Sequence, residues 1–343
     1  MDSQNIIDKS YQVEDKGSSI DIIEKAMEIA RAEIPNGHVA TYIPELGKVD
    51  PNQLGICLFP LKGDMICLGD YDVRFTMQSV SKVISLIVAL EICGTEKVFA
   101  KVGAEPSGEA FDSFVELDKD DPKPYNPLIN SGAIAVSSLL LPEVSFQDML
   151  RYTRRVCDDP EVELNRDVYN SEMQTCSRNK SISYLLESKG IVQVDVEDNL
   201  KFYTKMCSMD VTAKSLANLA NKLANDGVST TDGKRYMSSR TARIVKTLLL
   251  TCGMYDGSGT YAIKVGIPTK SGVGGGLLAV SDKRAGIGVF SPALDVQGNS
   301  VAGCRLLKEI SNKLRLDLFY DPEWDKAVEE ETVITDLREH SVM

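Results

Sequence analysis

The segment from Ser79 to Gly94 constrains this chain more than any other stretch of it. Val80, Val83, Ile84, Ile87, Val88 and Leu90 keep a helical period as far as Glu91, and the run stops at Gly94. A helix apolar on that many faces is stable only inside a protein. Its most apolar part, residues 83–93, contains Glu91 and is too short to cross a bilayer. The expectation is a buried helix that begins at or near Ser79.

Everything else must assemble around that helix. Just before it, residues 54–60 and 65–69 are short apolar runs joined across Lys62-Gly63-Asp64, which predicts a β-hairpin. After it, residues 146–157, 180–189, 196–207, 213–225 and 239–252 carry helical periods, and Ser131 to Leu140 reads as a further helix with Asn130 as a candidate N-cap. Beyond Tyr255, residues 272–280 and 285–290 are β-type runs separated by Ser281-Asp282-Lys283-Arg284. A last amphipathic helix over 301–316 presents Leu306, Leu307, Ile310 and Leu314 to those strands. The sheet is therefore expected from both ends of the chain, with a helical lobe over about 130–255. We read residues 20–320 as one domain, 1–19 as a polar leader to it and 321–343 as an acidic, mobile tail.

Of the 343 residues, 43% are hydrophobic and 26% charged, the balance of a globular protein. A net charge of -12 repels phosphate backbones and anionic lipid, which argues against nucleic acid and membrane surfaces as partners. The polar, acidic start has no apolar core of a signal peptide, so a soluble, cytoplasmic protein is expected. The eight cysteines, with no C-x-x-C pair, read as buried reduced thiols. Of two histidines, His340 lies in the polar tail, and His38 alone makes a Ser-His-Asp triad or an imidazole metal site improbable.

Other groups must carry the chemistry. Ser79-Val80-Ser81-Lys82 sets a hydroxyl and an amine three positions apart on one helical face. A lysine deprotonates serine only when burial or another cation leaves it neutral. A helix head adds free backbone N–H groups and a positive dipole end. The string Ser177-Arg178-Asn179-Lys180 matches the same pattern, so S-x-x-K alone is weak. A second element strengthens it: Lys270-Ser271-Gly272 lies far downstream, and serine acyltransferases combine S-x-x-K with a K-[ST]-G strand in this order. The glycines at 272 and 274–276 lack the spacing of a phosphate loop; they allow backbone to approach a substrate, with the Val273 and Ser79 N–H groups as a candidate oxyanion hole.

The chain resembles the serine-dependent glutaminase family from about Ile20 to Leu316. The motifs that carry the likeness occur in order: Tyr42-Ile43-Pro44, Gln78-Ser79-Val80-Ser81-Lys82, Glu105-Pro106-Ser107-Gly108, the run 126–134 from Asn126 to Ile134, Ser171-Glu172, Arg178-Asn179, the run 252–256 around Tyr255, and Lys270-Ser271-Gly272-Val273. Ser131 departs from the alanine of many relatives. The resemblance implies an α+β, β-lactamase/transpeptidase-like fold, an antiparallel sheet flanked by helices with a helical lobe. It implies no metal or other cofactor, and self-association as a homodimer or homotetramer.

For activity it implies hydrolysis of L-glutamine, with Ser79 as nucleophile, Lys82 as base, Tyr255 as a proton shuttle, and Tyr42, Asn130, Glu172, Asn179, Tyr203 and Val273 lining the pocket. A zwitterionic substrate wants a carboxylate for its ammonium and several donors for its α-carboxylate. Glu172 suits the first role; Asn130, Asn179 and tyrosine hydroxyls suit the second. Read from the residues alone, Tyr42 and Tyr203 are equally core tyrosines and Glu172 a surface carboxylate. Other amidases on this scaffold, or an amino-acid sensor without turnover, are the competing readings.

Overall fold

The computed structural model describes residues 16–320 apart from 114–116 and 118–121. The expected acidic tail and most of the polar leader lie outside the described residues. The centre is a five-stranded antiparallel sheet in the order β2-β1-β7-β6-β5, formed by β1 (Gly55–Pro60), β2 (Ile66–Gly69), β5 (Thr269–Ser271), β6 (Gly276–Ser281) and β7 (Ala285–Phe290). Both chain ends build it, and the K-[ST]-G segment lies at its edge in β5. Residues 272–280, expected as one strand, divide instead: 272–275 turn between β5 and β6.

One face is covered by α1 (Lys16–Arg31) and α12 (Val301–Leu314). Ile23, Met27, Leu306, Leu307 and Ile310 pack there on Ile56, Leu277 and Ile287. The other face receives α9 (Ala213–Ala224) at unusually short range. A Cβ at Gly288 would lie 1.9 Å from the Ala213 carbonyl oxygen, and one at Gly286 2.0 Å from the Asn221 nitrogen. Glycine on β7 lets helix backbone rest directly on strand backbone.

The helical lobe surrounds α2 (Ser81–Ile92), whose residues 81–90 are all buried, as its all-round apolar character demands. Around it stand α3 (Thr95–Lys101), α4 (Asn130–Leu140), α5 (Phe146–Val156), α6 (Arg166–Thr175), α7 (Ser177–Ser188), α8 (Val196–Cys207), α10 (Ser239–Cys252) and the short α11 (Ser258–Val265). Ser145, Asp195, Thr212 and Ser238 cap α5, α8, α9 and α10 through their side chains. A two-stranded ribbon of β3 (Phe75–Thr76) and β4 (Asp210–Val211) ties the chain just before Ser79 to the end of α8.

One expectation is corrected outright. Cys57 and Cys67 are not reduced thiols: the β1–β2 register sets them opposite each other, Cα to Cα 4.2 Å, and they form a disulfide. The other six cysteines are free, as expected. His38 engages through its backbone in a bridge to Leu294.

Candidate active site

Ser79 sits in a 3-10 turn, Gln78–Val80, that runs into α2, so it stands at the head of a helix buried over its first ten residues. It is 7% exposed at the floor of a cleft of about 150 Å³. Seven expected residues meet on its walls: Tyr42, Ser79, Asn130, Glu172, Asn179, Tyr203 and Val273. Lys82 and Tyr255 stand behind this wall, both buried.

Lys82 directs Nζ to Asn130 Oδ1 (2.7 Å) and to the Leu128 carbonyl (3.3 Å). Burial drives its pKa down to about 8, against the weaker opposing pull of Cys207, Glu172 and Asp112. The Tyr255 phenol neighbours the Ser79 hydroxyl and donates to the Ser271 carbonyl at 3.1 Å; its ring leans on Phe111. Lys270 lies 4.3 Å from the centre of that ring. It donates to the carbonyls of Ser271 (2.7 Å) and Gly253 (3.1 Å). The K-S-G segment thus supports the tyrosine from beneath as well as facing Ser79.

Asn130 does not cap its helix. Ile129 occupies the N-cap position, and Asn130 opens α4; its Oδ1 accepts from Lys82 and, at 3.4 Å, from the Tyr203 hydroxyl, while Nδ2 donates to Asn179 Oδ1 at 2.9 Å. Glu172, on α6, is 6% exposed and so no surface carboxylate. Burial raises its pKa to about 7, partly offset by a hydrogen bond from Gln78 and the charge of Lys82. Tyr42 is 54% exposed at the mouth, yet burial at its hydroxyl end and the nearby charge of Glu172 hold its proton firmly.

Opposite Ser79 is the turn after β5. A Cβ at Gly272 would lie 2.7 Å from the Met77 carbonyl oxygen, and one at Gly274 2.5 Å from that of Thr76, so only glycine brings Val273 against the segment that carries Ser79. Among the described residues the Val273 N–H donates to no backbone carbonyl.

Gln78 was missed as a site residue. It is 3% exposed, and its Nε2 lies 3.5 Å from Glu172 Oε2 and 3.3 Å from Thr76 Oγ1. The one polar side chain between Met77 and Ser79 in an apolar setting was the available signal. Gln78 (φ 46°) and Tyr255 (φ 55°) both hold the left-handed conformation, a strain of about 1–3 kcal/mol each that the packing around Ser79 sustains. Cys207, its thiol pushed up to about 12 by burial and by Glu172, also lines the cleft. Ser81 donates to the Gln78 carbonyl and packs on Cys207; Ser177 opens α7 and Lys180 pairs with Glu197. Among the described residues no group of three or more His, Cys, Asp or Glu side chains is placed to hold a metal ion.

An antiparallel sheet whose edge strand closes on a serine at the head of a buried helix defines the β-lactamase-like class of folds. Comparison with known proteins narrows it. The model of the family described as Glutaminase matches residues 37–319. The glutaminase of Clostridium tetani is 48% identical over 301 residues, 87% of this chain and 98% of the relative, and glutaminase 1 of Clostridium perfringens is 48% identical over 302 residues, again 87% and 98%. The crystal structure of a probable glutaminase from Bacillus subtilis superposes with a TM-score of 0.81 at 34% identity, covering 88% of this chain and 98% of that one. A covalent complex of a Bacillus subtilis glutaminase with 5-oxo-L-norleucine, formed by reaction with 6-diazo-5-oxo-L-norleucine, gives 0.79 at 36% identity, covering 87% and 98%. The chain belongs to the glutaminase family, and is accordingly an amidohydrolase.

Proposed function

We propose that the protein hydrolyses L-glutamine to L-glutamate and ammonia through an acyl-enzyme on Ser79. The observation that carries this reading is the cleft's two-ended chemistry: a serine hydroxyl beside a buried phenol at one end and the carboxylate of Glu172 at the other. The Lys82 amine has two N–H groups when neutral, matching its two acceptors, Asn130 Oδ1 and the Leu128 carbonyl; its lone pair then remains to take the Ser79 proton. Oγ bonds to the side-chain amide carbon, and the oxyanion takes the N–H groups of Ser79 and Val273. Tyr255, beside Oγ, relays the proton to the amide nitrogen as the C–N bond breaks and ammonia leaves. Water, deprotonated by the same groups, cleaves the γ-glutamyl ester and regenerates Ser79.

Glu172 receives the substrate ammonium, and Asn130, Asn179, Tyr42 and Tyr203 address its polar groups. Such a pocket rejects analogues that leave its buried groups unpaired. The resemblance further supports a homo-oligomer, which sedimentation velocity tests.

The deciding experiment is ammonia release from glutamine, asparagine and a chromogenic lactam in separate assays, with wild type and Ser79→Ala. Glutamine is expected to be the turned-over substrate, and Ser79→Ala is expected to keep the fold and bind glutamate while releasing no ammonia. Normal release by the variant would eliminate the covalent route. Calorimetric glutamine binding without ammonia from wild type would favour a sensor. Incubation with 6-diazo-5-oxo-L-norleucine is expected to leave a 5-oxo-L-norleucine adduct on the peptide that contains Ser79.

A further inference from the structure

A second and larger cavity, about 570 Å³, opens in the helical lobe between α5, the start of α6 and α8. That volume lies within the range of small-molecule sites. Its walls bring together Arg154, Arg166 and Lys205 with the rings of Phe146 and Tyr169; Glu163 is the one acidic residue among them. Among the described residues none of the three cations makes an ion pair. In a chain of net charge -12, three cations converge here without carboxylate partners. Arg154 is held in place by its Nε bond to the Val162 carbonyl (2.8 Å), which leaves its terminal N–H groups for another acceptor. Lys205 Nζ lies 5.8 Å from the centre of the Phe146 ring.

We propose that this cavity is a ligand site separate from the catalytic cleft, taking a small organic anion with a flat apolar body. The guanidinium groups of Arg154 and Arg166 match a carboxylate or phosphate in planar, bidentate geometry, and Phe146 and Tyr169 offer ring faces to the body. The ammonium of a free amino acid meets three like charges, so the cleft's substrate class is disfavoured here.

Calorimetric titration of the full-length protein at low ionic strength tests this, with phenyl phosphate, inorganic phosphate and phenol as probes. Phenyl phosphate is expected to saturate one site, with phosphate and phenol each weaker by about tenfold or more, since each lacks half of the recognised chemistry. The Arg166→Glu/Lys205→Glu variant is expected to lose at least about tenfold in phenyl phosphate affinity, while melting temperature and ammonia release stay as in wild type. Arg240→Glu/Lys313→Glu, an equal charge change elsewhere, should leave binding intact. Should the first double variant fail to fold, Lys205→Gln alone should still weaken binding. Absence of saturable phenyl phosphate binding, unchanged binding in the cavity variants, or equal loss in both double variants overturns the proposal. Inorganic phosphate binding as tightly as phenyl phosphate overturns the apolar half of it.

Discussion

In the proposed reaction Lys82 must be neutral to accept a proton from Ser79, and its burial pushes it that way, to about 8. The same proposal needs Glu172 ionised to hold an ammonium, and burial raises it to about 7. Both groups are competent only when deprotonated, so kcat/KM should climb as pH rises through about 7 and again through about 8. An ammonia-release profile flat between pH 6 and 9 would contradict both roles. Glu172→Gln should lower kcat/KM by about 30-fold or more, chiefly through KM, because it strips a buried charge pair of about 2–5 kcal/mol from substrate binding, and it should erase the lower of the two rises. Lys82→Ala should cost nearly as much as Ser79→Ala, and the double variant little more than either, because the two act as a unit. Additive losses would show that they do not.

Helices announce themselves when they bury a stripe, and the legible ones here did: 196–207 and 239–252 match α8 and α10 end for end because apolar spacing and a capping residue agree at both. The helix α6 escaped notice because of its ten residues only Val168 and Glu172 are buried; no apolar period exists to read, and its one local signal is the Asn165 cap. Its most important residue is buried by neighbours remote in sequence, Gln78 above all. The disulfide is legible only through the expected hairpin, in which Cys57 and Cys67 lie symmetrically about Lys62; their ten-residue spacing by itself matches no cysteine motif. Reducing it should lower stability by about 2–3 kcal/mol through the loss of a short closed loop, read as a shift in urea midpoint with and without dithiothreitol. Two alanine substitutions should have opposite signs. Gly288→Ala drives a methyl into the α9 backbone and should cost about 3 kcal/mol, whereas Gly259→Ala, on exposed helix with open space around it, should gain about 0.5–1 kcal/mol.

The sheet separates two apolar cores, one shared with α1 and α12, the other with α9 and the helical lobe. Because both cores use the same strands, melting either uncovers the other. Guanidinium unfolding followed by circular dichroism and by ammonia release should therefore give coincident curves; two resolved transitions would divide what we read as one domain over 20–320. That arrangement also bears on synthesis. The helix that begins behind Ser79 leaves the ribosome long before β5 and the Val273 turn that face it, and domains order from the N-terminus as they emerge. A nascent chain thus presents Ser79 without the opposing wall, and in the proposed reaction it cannot begin releasing ammonia until the Val273 turn has emerged and folded against it.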